Sequence, residues 1–232
     1  MMLQMSPRMF QMAQRIVVAL GVFLILGIAW VGYRWYHTSR DEQAHVTFAR
    51  ALDVYDQIKG ASGDAKTALV ERTRDVLNQG YAQYKRSSYG PLFLVFLSQL
   101  DIEAAKAAGA TDSAERMITA RDQLAQALKG MKTGTPLHDL YDIKRALMMT
   151  DADSDDVRAE GEAILARYAA DTSSAFRDMA LYYAGKLKFD ALDYEGAMKL
   201  WDVLLKEYAA HTDQDASVWA TKAQELKEYK AS

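Results

Sequence analysis

The sequence predicts an all-α chain in which an N-terminal transmembrane helix is followed by a solenoid of helical hairpins and a C-terminal capping helix. Three observations carry this prediction. Residues 16–33 contain no charge at all. From residue 41 onward, apolar residues recur at helical spacing and never with a sustained period of two. All three prolines, Pro7, Pro91 and Pro136, fall where a first helical turn tolerates a missing N–H.

The uncharged run is read as a single membrane span. At 1.5 Å per residue it makes a helix of about 27 Å, close to the thickness of a hydrocarbon core. The run is long for the apolar region of a signal peptide. It is followed by Trp30, Tyr33, Trp35 and Tyr36 rather than by small residues around a cleavage site. An uncleaved signal anchor over residues 16–36 is therefore expected, with those four aromatics as the interfacial belt at its C-terminal side. Arg8 and Arg15 on one side are matched by Arg34 and Arg40 on the other, so flanking charge orients the span only weakly, through the terminal amine, toward a cytoplasmic N-terminus.

Residues 1–15 carry two Arg and no acid, and Met5, Met9 and Met12 form one apolar stripe at i, i+4 and i+7. Such a stripe lies on a membrane face or packs on a partner helix. A methionine copper site is the sharper alternative, but thioethers at this spacing more often form packing surface.

Residues 41–232 form the helical domain. Helices are expected at 41–59, 64–82, 90–108, 112–129, 136–150, 155–170, 174–191, 194–209 and 214–230, separated by polar breaks such as Lys132-Thr133-Gly134-Thr135 and Asp171-Thr172-Ser173-Ser174. Repeats favour a solenoid over a bundle. Gly185, Asp193-Tyr194, Ala197, Trp201 and Leu204 have the spacing of a tetratricopeptide repeat. In that pattern Gly185 and Ala197 let two antiparallel backbones meet, and Trp201 fills the groove to the next unit. Leu192 stands where the loop glycine belongs. A second echo pairs Ser87-Ser88-Tyr89 with Ser173-Ser174-Ala175-Phe176, each ahead of a strongly apolar helix. The last helix, with Trp219, Ala223 and Leu226 on one stripe, has the two-faced character of a cap.

On Gly32-Tyr33-Arg34-Trp35-Tyr36, the stretch 84–91 and the run 175–204, the chain resembles the tetratricopeptide-like, single-span inner-membrane proteins of proteobacteria that include the ancillary subunit of the Sec translocon. The resemblance implies a cytoplasmic N-terminus, a periplasmic helical domain, and a partner-binding role beside the translocon or periplasmic chaperones.

No chemistry competes strongly with that reading. The net charge of −3 argues against nucleic-acid binding, and the absence of Cys removes disulfides and thiol sites. His37, His45, His138 and His211 are scattered, so neither a metal centre, a cofactor nor catalysis is expected. Asp151, Asp153, Asp155 and Glu162 follow a calcium-loop spacing. However, Asp156 replaces the turn glycine and the following residues read as helix, which makes a capped helix start the plainer account. Tyr81, Tyr84 and Tyr89, together with the methionine stripe, are the candidate partner surface. A non-enzymatic scaffold is the first expectation, and a permanent structural or assembly subunit of a large membrane complex is the alternative.

Overall fold

Polar residues 37–40 read as a break between anchor and domain, yet the helix runs straight through them. Neither Gly nor Pro interrupts this stretch, and Thr38 satisfies its own hydroxyl by donating to Arg34 O at 2.9 Å, so nothing stops the helix. The expected span and the expected first domain helix are therefore one element, α1 (Pro7–Ile58). The computed structural model describes residues 7–107, 110–208 and 217–231, with side chains described at 30, 33–36, 38–106, 112–208 and 217–228. Among the described residues no helix is long and apolar enough to cross a membrane. The side chains of nearly all of the run 16–33 lie outside them, as do those of Met5, Met9, Met12 and His211.

The chain continues through α2 (Gly63–Tyr84), α3 (Gly90–Ala107), α4 (Ala110–Lys129), α5 (Pro136–Thr150), α6 (Asp155–Ala170), α7 (Arg177–Asp190), α8 (Tyr194–Tyr208) and α9 (Val218–Ala231). The described residues are all-α, in a helical-hairpin arrangement without strands. The bounds of α5 and α6 coincide with the sequence expectation. At α5 the cause is explicit: Thr135 Oγ1 accepts from His138 N at 3.4 Å, and Pro136 holds the first helical position. By contrast, α7 begins three residues later than expected. Asp171 Oδ1 accepts from both the backbone N and the hydroxyl of Ser173, and Ser174 Oγ accepts from Phe176 N. The serine pair therefore builds a turn instead of a first helical turn.

Consecutive helices make the extensive close approaches, and α9 packs on both α8 and α7. Two apolar clusters result. The first is centred on Phe48, Leu77, Phe93, Leu100 and Leu124, and the second on Leu165, Leu181, Trp201 and Leu204. They meet at α5, where Tyr141 belongs to the first and Ile143, Ala146 and Met149 to the second. Buried charge ties neighbouring helices together. Asp101 on α3 reaches Arg74 on α2 at 2.7 Å, while its other oxygen accepts from Gln123 on α4 at 2.9 Å. Asp142 on α5 accepts from Arg167 and Tyr168 on α6. Desolvation and the two neighbouring aspartates push the Tyr168 hydroxyl above the usual phenol range, so it stays a neutral donor.

The α7–α8 turn carries a backbone cost that the sequence hints at. Leu192, in the glycine position of the repeat, has φ 65° and a side chain 71% exposed. A side chain in the left-handed region costs roughly 1–2 kcal/mol, partly offset in a glycine variant by the larger entropy of its unfolded chain. Leu192→Gly is expected to stabilise the domain by about 0.5–1 kcal/mol, read by denaturant titration. A loss of stability would mean that the exposed leucine makes contacts beyond those of the turn.

Candidate functional site

Helix α6 has two apolar faces, and only one is buried. Gly161, Ile164, Leu165, Tyr168 and Ala169 face the core. Ala159, Ala163, Ala166 and Ala170 line up on an exposed face at helical spacing. This face forms one wall of a groove of about 690 Å³ whose floor is Leu181, Ala184 and Leu187 of α7, and whose other wall is Leu200 and Val203 of α8.

The groove exists because α7 lies deep between its neighbours. A methyl group at Gly185 would stand 2.7 Å from Trp201 Cδ1, so α7 and α8 pack at a distance that only glycine allows here. Trp201 is fully buried; its Nε1 donates to Tyr182 O at 3.2 Å, and its ring centroid is 5.5 Å from that of Phe189. Ala197 and Leu204 are also fully buried, and Tyr194 is half-buried with its ring 5.1 Å from Phe189. Gly185 and Trp201 thus meet directly, Ala197 and Leu204 join Trp201 in one buried cluster, and Tyr194 packs on Phe189 beside them.

Charged pairs close both ends of the groove. At one end Arg177, buried at the start of α7, donates from Nε to Ala169 O at 2.9 Å and pairs with Glu207 of α8. This spans the C-terminus of α6, where a cation is favoured by the helix dipole. At the other end Lys188 Nζ lies 3.1 Å from Asp193 Oδ2, and Asp193 Oδ1 caps α8 by accepting from Gly196 N at 2.9 Å. From Arg177 to Lys188 the rise of α7 is about 16 Å, or three helical turns.

The Gly196 bond, followed by Lys188, holds the Asp193 carboxyl below its ordinary pKa. A depressed carboxylate contributes stability that is fully present above its unfolded-state pKa and is lost as pH falls through the folded one. Asp193→Ala is therefore expected to lower stability at neutral pH and to flatten the loss of stability on acidification below the ordinary carboxylate range. An acid-unfolding profile unchanged by the substitution would show that the cap makes no net contribution.

No family model, curated protein or solved structure matches the chain. The groove therefore has to be interpreted from its own chemistry.

The other sequence-derived candidates fall into two groups. Trp30, Tyr33, Trp35 and Tyr36 are 61%, 64%, 73% and 52% exposed on α1, with the Arg34 guanidinium over the Trp30 ring and that of Arg40 over Tyr36. The tyrosines read as a partner surface are instead largely internal. Tyr84 is buried, Tyr89 packs its ring 5.3 Å from His45 and 5.9 Å from Phe48, and the half-buried Tyr81 accepts from Gln126 Nε2 at 2.7 Å. They fasten the α2–α3 turn to α1 and α2 to α4, so Tyr84 in particular offers no contact surface. Among the described residues no three His, Asp or Glu side chains gather as a metal site. Residues 155–162, which a calcium loop would need to wrap, are taken up by the first part of α6.

Proposed function

We propose that the chain is a non-enzymatic scaffold, anchored in the bacterial inner membrane by residues 16–36, whose groove over α6, α7 and α8 receives a helix of another protein in the periplasm. The open alanine-walled groove is the observation that carries this reading. Small side chains let a helix approach to the close end of the 8–10 Å interaxial range, and the apolar floor rewards burial of its face. The three-turn length and the charged ends suit a short amphipathic helix with polar residues at both termini. At the groove's two ends Arg177 is paired with Glu207 and Lys188 with Asp193, while Glu162 on the α6 wall offers a carboxylate to a basic residue of the incoming helix. The resemblance to translocon-associated proteins directs the partner class to translocon subunits or periplasmic chaperones.

A photo-crosslinking residue at Ala166, in native membranes, tests this reading. Discrete adducts with a translocon subunit or a periplasmic chaperone are expected from position 166, abolished by Ala163→Arg and absent from a control position at Glu228 of α9. Equal adduct patterns from both positions, or none from the groove, would contradict it.

A further inference from the structure

The bonds that fasten the domain to α1 lie just beyond the aromatic belt. Arg40 Nη1 donates to Tyr36 Oη at 2.9 Å, while its Nη2 donates to Gln83 O at the end of α2. One residue on, Asp41 Oδ1 accepts from Ser88 N, in the α2–α3 turn, at 3.1 Å. That turn is therefore about 6–8 Å along the helix axis from the last ring of the belt. The C-terminus of α4 reaches the same level, because Gly130 lies against Pro91 in the first turn of α3, with a methyl group at Gly130 placed 2.8 Å from Pro91 Cγ.

This geometry gathers Arg34, Arg40, Lys85, Arg86, Lys129 and Lys132 at one end of the hairpin stack. Lys85, Arg86, Lys129 and Lys132 are exposed, and none pairs with a carboxylate among the described residues. The acids at this end are Asp41, held by Ser88 N, Glu42, Asp139 beside His138, Asp171 and Asp178 at the α6–α7 turn, and Glu207 paired with Arg177. At the opposite end the charge is mixed: the α5–α6 turn and first α6 turn carry Asp151, Asp153, Asp155 and Asp156, whereas the other turns carry Lys59, Lys66 and Lys188.

We infer that the basic end is a second membrane contact, which docks on anionic lipid headgroups and holds the hairpin stack upright over the anchor. The inference rests on the anchor reading proposed above. With the belt at headgroup level, cations 6–8 Å beyond it lie within about one Debye length of the lipid phosphates at physiological salt. Each such cation is attracted by an anionic surface, whereas the far end, about three Debye lengths away, is screened from it.

The full chain, which contains no Cys, allows single labels without background. A fluorophore is attached at Thr133→Cys, at the basic end, or at Ser62→Cys, at the far end. Each protein is placed in nanodiscs of phosphatidylcholine alone or with about 30% phosphatidylglycerol, both carrying a headgroup quencher. Quenching at position 133 is expected to rise roughly twofold in the anionic discs, with position 62 unchanged. The rise disappears at about 0.5 M salt. It also disappears in the combined variant Lys85→Gln, Arg86→Gln, Lys129→Gln, Lys132→Gln. Quenching indifferent to lipid charge, in a chain that stays with the discs, would overturn the docking alone. A chain that leaves the discs overturns the anchor and the docking together.

Discussion

Trp201→Ala is expected to destabilise the helical domain by about 4 kcal/mol, the largest effect of any single truncation considered for this fold. The ring is fully buried, fills the space over Gly185, packs on Phe189 and donates to Tyr182 O. Its removal leaves a cavity at the α7–α8 crossing and takes a donor from a buried carbonyl. The mechanism is separable from simple loss of apolar area. Gly185→Leu forces an added side chain into the same ring and should cost about 3 kcal/mol on its own, despite the better helix propensity of leucine. In the Trp201→Ala background the cavity accepts the new side chain, so the second substitution should cost far less. Additive effects in that double-mutant cycle, measured by denaturant unfolding, would show that the two residues do not share one contact.

Asp101→Ala is the second large effect, with an expected loss of about 3 kcal/mol. The carboxylate is 2% exposed, and its partners come from two other helices: Arg74 at 2.7 Å, Arg116 at 4.0 Å and Gln123 Nε2 at 2.9 Å. Removing it leaves Arg74 and Gln123 without their shared acceptor between α2, α3 and α4. The value sits at the low end for a broken buried pair because both arginines keep partial access to water. Asp101→Asn, which keeps an acceptor for Gln123, should cost about half as much. The exposed pair Asp56–Lys59 supplies the contrast: Asp56→Ala should change stability by less than about 0.5 kcal/mol. Equal effects at positions 56 and 101 would show that the buried network does not hold α2, α3 and α4 together.

What the sequence made legible follows from how local each cause is. Thr135-Pro136 announces the start of α5 because its capping bond spans three residues, and it is found where expected. The meeting of Gly185 with Trp201 is legible because the two belong to one hairpin, at a spacing that brings small against large. The continuity of α1 was hidden because a polar run resembles a break, although without Gly or Pro nothing forces one. Asp101 and its partners stand on three separate helices, so no window of sequence unites them. The groove escaped for a different reason. Alanines at 159, 163, 166 and 170 are ordinary helix formers and mark no face by themselves, whereas a solvent-facing row normally carries charge. An alanine row opposite a buried face was the available signal.

Both halves of the proposed function depend on the helical domain being held at the periplasmic face of a membrane. The most direct measurement combines the Ser62→Cys variant with a membrane-impermeant maleimide applied to spheroplasts, followed by alkaline carbonate extraction. Labelling in intact spheroplasts, with the full-length chain retained in the carbonate-washed membrane, is the expected result. A protected cysteine, or a full-length chain released into the supernatant, would contradict the account.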